Sequence, residues 1–87
     1  MRLRRNANME YIEVDDSNLV VFDPESGDTH FIDEVGSDIV NNLANESTFD
    51  DLLLKLCEIY KTERQEIECD VTEFLQQLID KKVVKSL

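Results

Sequence analysis

At Asp33 the hydrophobic period of this chain changes, and the change limits the folds open to it. Before Asp33 the apolar residues alternate or sit in short runs. These are "MEYIEV" (Met9 to Val14), "LVVF" (Leu19 to Phe22) and "THFID" (Thr29 to Asp33). Runs rich in β-branched and aromatic residues are strand signals. After Asp33 the apolar residues recur at spacings of three and four, the mark of helices with one buried face. Turn chemistry separates the strands. "DDSN", Asp15 to Asn18, is a cluster of turn formers. In "DPESG", Pro24 presets φ for a type I turn, and Gly27 supplies the positive-φ residue that a four- or five-residue hairpin loop needs. Three strands on short turns read as an antiparallel meander, with the first and third strands at its edges.

The helical part divides at capping residues. Asp33 caps a first helix whose apolar positions are Val35, Ile39, Val40 and Leu43. "ANES", Ala44 to Ser47, ends it. Thr48 with Asp51 three residues later resembles a capping box. The helix it opens carries Leu52, Leu53, Leu56, Cys57 and Tyr60 on one broad stripe. Thr62 with Gln65 reads as a second capping box, opening a third helix with Ile67, Val71, Phe74, Leu75, Leu78 and Ile79. Lys81 and Lys82 suit a helix C-terminus, and the closing "VVKSL" is expected to pack back on the core. The order βββααα gives an α+β fold, winged-helix-like, with a three-stranded antiparallel meander followed by three helices. In that class it is less usual for the strands to come first.

A chain of 87 residues makes one domain with a modest core and little room for a deep enclosed active site. Residues 1–8 read as a flexible basic tail and residues 9–87 as the domain. "MRLRRNANM" has no apolar stretch after its basic start and is not expected to be a secretory signal. No apolar run approaches the ~20 residues of a membrane span. Cys57 and Cys69 lack CxxC spacing, which suggests a reducing, cytoplasmic setting.

Charge narrows the partners. The net charge is −11, from nine Lys and Arg against 20 Asp and Glu. Three of the bases, Arg2, Arg4 and Arg5, lie in the tail, leaving six bases against the 20 acids, or −14, from residue 6 onward. Such a body repels phosphate backbones. Neither nucleic acid nor an anionic membrane is expected as a partner.

Catalysis lacks its parts. A nucleophile and base need a Ser or Cys held by a His, and the only His, His30, sits in a strand with no Ser or Cys beside it. Asp28 and His30 share a strand face, which makes only a two-ligand fragment where a metal site asks for three or four. With two glycines in all there is no glycine-rich phosphate loop. No enzyme activity, metal or cofactor is expected. Binding of another chain is what remains. The third strand, an edge, carries no Lys, Pro or bulge to block a further strand.

Two sets of residues then stand in a recognisable order. The first, in "SGDTHFIDEVGSDIVNNL", is Gly27, Thr29 to Ile32, Asp33, Val35-Gly36 and Ile39. The second is Asp70-Val71, Phe74-Leu75, Leu78 and Val83-Val84. Over roughly residues 9–84 the chain resembles the PqqD family. These are small peptide chaperones named for pyrroloquinoline quinone biosynthesis. The same domain serves as the recognition element for precursor peptides of ribosomally made, modified natural products. "GDTH" is similar to PqqD-like members that accompany an HPr-kinase-related protein. The chain departs from the family at Lys82, where Gly is frequent, and at Val40, where an aromatic is frequent.

The resemblance implies a non-catalytic peptide chaperone. The leader segment of a precursor peptide would add as a strand to Thr29, His30, Phe31, Ile32 and Asp33. Asp70, Glu73, Phe74 and Gln77 on the third helix would wall the groove beside it. A peptide-modifying enzyme would be the second partner. The protein itself would be a monomer or weak dimer, because an open edge also invites pairing between copies. Two other readings stand beside this one. A winged-helix DNA-binding domain shares the fold class, but Glu63 to Asp80 holds six acids and one Arg. A regulatory domain could instead dock on an enzyme and never touch the peptide.

Overall fold

The computed structural model describes residues 2–87. It holds two three-stranded antiparallel sheets and three helices, an α+β fold. One sheet is the expected meander: β2 (Glu10–Glu13), β3 (Leu19–Phe22) and β4 (Thr29–Ile32), in the spatial order β2-β3-β4. β4 is the third strand of the sequence reading. Its turns close as their residues dictate. Asp15 accepts from the backbone N–H groups of Ser17 and Asn18, both at 2.8 Å. Asp23 accepts from the N–H of Glu25 at 2.9 Å, and Gly27 takes φ +81° to complete the reversal. Tyr11, Val21 and His30 stand opposite one another across the sheet, and so do Ile12, Val20 and Phe31. The first row faces the core, where Val21 is fully buried, and the second faces away.

The helices are α1 (Glu34–Asn41), α2 (Phe49–Tyr60) and α3 (Arg64–Asp80). Asp33 caps α1, its Oδ1 accepting from the Gly36 N–H at 3.0 Å. Thr48 caps α2, its Oγ1 accepting from the Asp51 N–H at 3.1 Å. α3 starts differently from the expectation. Its N-cap is Glu63, which makes no side-chain cap bond, and the Thr62 hydroxyl reaches the Glu66 carboxylate in place of a box with Gln65. The helix begins one residue later than Thr62 would set it, so that hydroxyl sits outside the first turn.

The larger difference is at the N-terminus. Residues 1–8 were expected to be a free tail; Met1 lies outside the described residues, but Arg2–Arg5 form a strand, β1. It is the middle strand of a second sheet, between β5 (Ser47–Thr48) and β6 (Val84–Ser86). Leu3 is fully buried, and the N–H groups of Arg5 and Asn6 donate to the carbonyls of Leu43 and Val83 at 3.0 and 2.9 Å. Arg2 and Arg4 are therefore the outer face of a strand that closes the core, while Arg5, on the same side as Leu3, is half-buried. The expected packing of the C-terminal segment holds, with Val83 and Val84 buried.

The core joins Leu19, Val21 and Ile32 of the meander to Ile39, Leu52, Leu53, Leu56, Val71, Leu75 and Leu78 of the helices and to Leu43 just after α1. Each such side chain contributes about 1.5–3 kcal/mol on burial. α1 approaches β4 so closely that a Cβ on Gly36 would lie 2.6 Å from Cγ2 of Ile32. The small residue after Val35 therefore sets the distance between β4 and the helices.

Candidate functional site

β4 ends its sheet, and its backbone alternation can be read from the turns. In an antiparallel pair, facing residues alternate between exchanging both hydrogen bonds and exchanging none. The Asp23 N–H donates to the Asp28 carbonyl at 2.9 Å, which makes that pair bonded. The next pair, Phe22 with Thr29, is then non-bonded, Val21 with His30 bonded, and Val20 with Phe31 non-bonded. The backbone N–H and C=O groups of Thr29 and Phe31 thus point away from β3, toward the open edge. Those of His30 and Ile32 are used within the sheet.

A hollow opens on each side of this edge. The inner one, about 110 Å³, lies between β4 and α3 and is lined by Phe31, Ile32, Asp33, Gly36, Phe74, Gln77, Leu78 and Lys81. The outer one, about 340 Å³, is on the other face of the sheet, where Val14 and Val20 meet Phe31, Ile32 and Asp33. The same three residues, Phe31 to Asp33, divide the two. Phe31 is 81% exposed, an unusual state for a phenylalanine in a strand. Asp33 also has a structural task, since its carboxylate and carbonyl serve α1.

Of the residues expected at the site, Phe31, Ile32, Asp33, Phe74 and Gln77 come together around the inner groove. Thr29 and His30 belong to β4 without lining it; Thr29 is exposed and His30 half-buried on the core-facing side. Asp70 lines an adjoining hollow of about 300 Å³, which shares Phe74 with the groove. Glu73 is exposed on α3 and lines none of these hollows. The sequence reading omitted Gly36, Leu78 and Lys81. Lys81 and Leu78 follow Phe74 at i+7 and i+4, so helical spacing from Phe74 was a signal for both.

The surroundings are anionic. Beside the Asp70 hollow the Tyr60 hydroxyl donates to the Asp38 carboxylate. Burial raises the Tyr60 pKa most, and the bond to Asp38 and the charges of Asp38, Glu34 and Asp33 raise it further. Among the described residues, Lys81 is the one cation lining the inner groove.

No helix among the described residues is long and apolar enough to cross a membrane. A solved structure described as "TbiB1 in Complex with the TbiA(beta) Leader Peptide" is similar over 97% of this chain and 96% of that one, with a TM-score of 0.82 and 21% identity. At that identity the likeness is one of fold. Comparison with curated proteins gives no match. Residues 18–84, from the start of the meander's central strand to the beginning of β6, match the family model described as coenzyme PQQ synthesis protein D, and the chain belongs to the PqqD family.

Proposed function

We propose that this chain is a non-catalytic carrier that binds the leader segment of a precursor peptide as a fourth strand on β4 and presents it to a modifying enzyme. The observation that carries this reading is the open edge of β4 with a hollow on each face. An added strand sends alternate side chains to opposite faces. One set would enter the groove between Ile32, Phe74 and Leu78, and the other would lie against Val14, Val20 and Phe31. The outward N–H and C=O groups of Thr29 and Phe31 would supply main-chain bonds that do not depend on sequence. Membership of the PqqD family supports this reading, as does the likeness of fold to a protein described in complex with a leader peptide.

Ordering a flexible leader costs about 2–5 kcal/mol. Affinity near micromolar, about −8 kcal/mol, is the expected result, and it suits a carrier that must release its cargo. The exposed acids away from the groove would face the enzyme. The test is a fluorescence-anisotropy titration with labelled leader segments of precursor peptides encoded beside this chain's gene. Saturable binding that Phe31→Pro abolishes is expected. Equal affinity for the variant, or no affinity for any such leader, would overturn the reading.

A further inference from the structure

Phe74 lines the groove beside β4 and a second hollow as well. Behind that ring lies the hollow of about 300 Å³ whose floor is Val35, Ile67, Val71 and Phe74. Its floor is apolar and its rim is anionic. Asp70 lines it directly, and Tyr60, also in its wall, is bonded to Asp38 and lies in the field of Glu34 and Asp33. No Lys or Arg among the described residues lines it. Among the described residues, neither Glu34 nor Asp70 has an ion-pair partner. The other end of the same helix wall has the opposite sign. Lys81 lines the inner groove, about 16 Å from Asp70 along α3 at 1.5 Å per residue.

We propose that this second compartment takes the side chain of a Lys or Arg in the bound peptide, and that the bound leader is therefore basic at its Asp70 end. The proposal rests on the strand-addition reading above and adds the chemistry of the cargo. A long basic side chain has an aliphatic stem that packs on Ile67 and Phe74 while its head stays at the wet rim. There it meets carboxylates and the faces of Phe74 and Tyr60. A peptide carboxylate would be repelled, and a purely apolar side chain would leave the rim unpaired. The 16 Å span equals about five residues of extended strand. Opposite charges at its two ends would also fix which way the leader runs along β4.

The test uses the full chain and a displayed library of random peptides, selected at low salt and counter-screened for loss of binding to Phe31→Pro. Binders that need β4 should be enriched in Lys or Arg at one fixed position, about five residues from the position beside Lys81. Changing that residue to Ala in a selected peptide should weaken binding about fivefold, the scale of a partly exposed ion pair. Against the double variant Glu34→Gln with Asp70→Asn the same change should matter less than about twofold. Asp16→Asn with Glu25→Gln removes the same charge from exposed turns and controls for the acidity of the whole chain. β4-dependent binders with no basic position would overturn this inference and leave strand addition standing. An equal loss against wild type and the double variant would do the same. A library that yields no β4-dependent binder would overturn both.

Discussion

Lys82 holds φ +64°, a left-handed conformation in which a Cβ crowds the carbonyl. It follows α3, where its N–H donates to the Ile79 carbonyl at 2.9 Å and its own carbonyl accepts from the Asn6 side chain at 2.9 Å. This is the position at which the family resemblance led one to look for Gly, and the backbone supplies the reason. Both of its bonds are made by main-chain atoms, so Gly can keep them. Lys82→Gly is expected to stabilise the fold by about 1 kcal/mol, read as a higher urea midpoint with an unchanged slope. The edge strand gives a second prediction at this scale. The Phe31 N–H faces the open edge, so Phe31→Pro removes no bond to β3, and proline is tolerated on edge strands. The His30 N–H is spent inside the sheet, and His30→Pro should cost about 1–3 kcal/mol. Near-normal stability for Phe31→Pro beside clear destabilisation for His30→Pro, in paired urea melts, would establish the alternation. Equal losses would refute it.

The two turns of the meander are held by carboxylates, and this makes the sheet acid-sensitive. Backbone bonds from Ser17 hold the Asp15 pKa below its ordinary 3.8, helped by the Asn18 side chain and backbone. The Glu25 backbone and Ser26 hydroxyl do the same for Asp23. A folded pKa below the unfolded one means that the ionised form favours the fold. That contribution is complete above the unfolded value and is lost as pH falls through the lowered folded one. Asn at either position keeps an acceptor but does not titrate. Asp15→Asn with Asp23→Asn should flatten the fall in urea midpoint below about pH 4; an unchanged acid limb would put the sensitivity elsewhere. The same locality explains what the sequence made legible. "DDSN", "DPESG" and Asp33 act within three or four residues, so the meander and the start of α1 could be read directly. β1 could not. "RLRR" has one apolar residue, and its partners, Ser47–Thr48 and Val84–Ser86, lie far along the chain. Such a strand exists only because tertiary structure offers it two edges. The groove fell between these cases. Phe31 and Ile32 follow from the unblocked edge strand, and Phe74 and Gln77 are what the family resemblance implies, but the closeness of Gly36 to Ile32 and the reach of Lys81 depend on how α1 and α3 pack.

At the scale of the molecule, the two sheets divide the work. The meander offers its edge, and the sheet of β5, β1 and β6 holds the far end of the groove's wall. Val83 and Val84 follow α3 after Lys81 and Lys82, and Asn6 bonds to the Lys82 and Val83 backbones at that junction. The Tyr11 hydroxyl, 2.8 Å from the carbonyls of both Asn6 and Val83, ties the meander to the same point. Arg5 lies over the Tyr11 ring, 4.8 Å from its centre. Leu3 is the buried anchor of this arrangement, so Leu3→Ala leaves a cavity under β1. The expected cost is about 2–5 kcal/mol, a large share of the roughly 5–15 kcal/mol that holds a domain together. A free tail would give no change at all. The loss should also be uneven. Amide hydrogen exchange should speed up most at Val83, Val84 and the last turn of α3, beside Lys81, and least in β3, whose partners on both sides are untouched. Uniform acceleration would mean that the two sheets unfold as one unit, and that β1 is no separate brace for the wall of the groove.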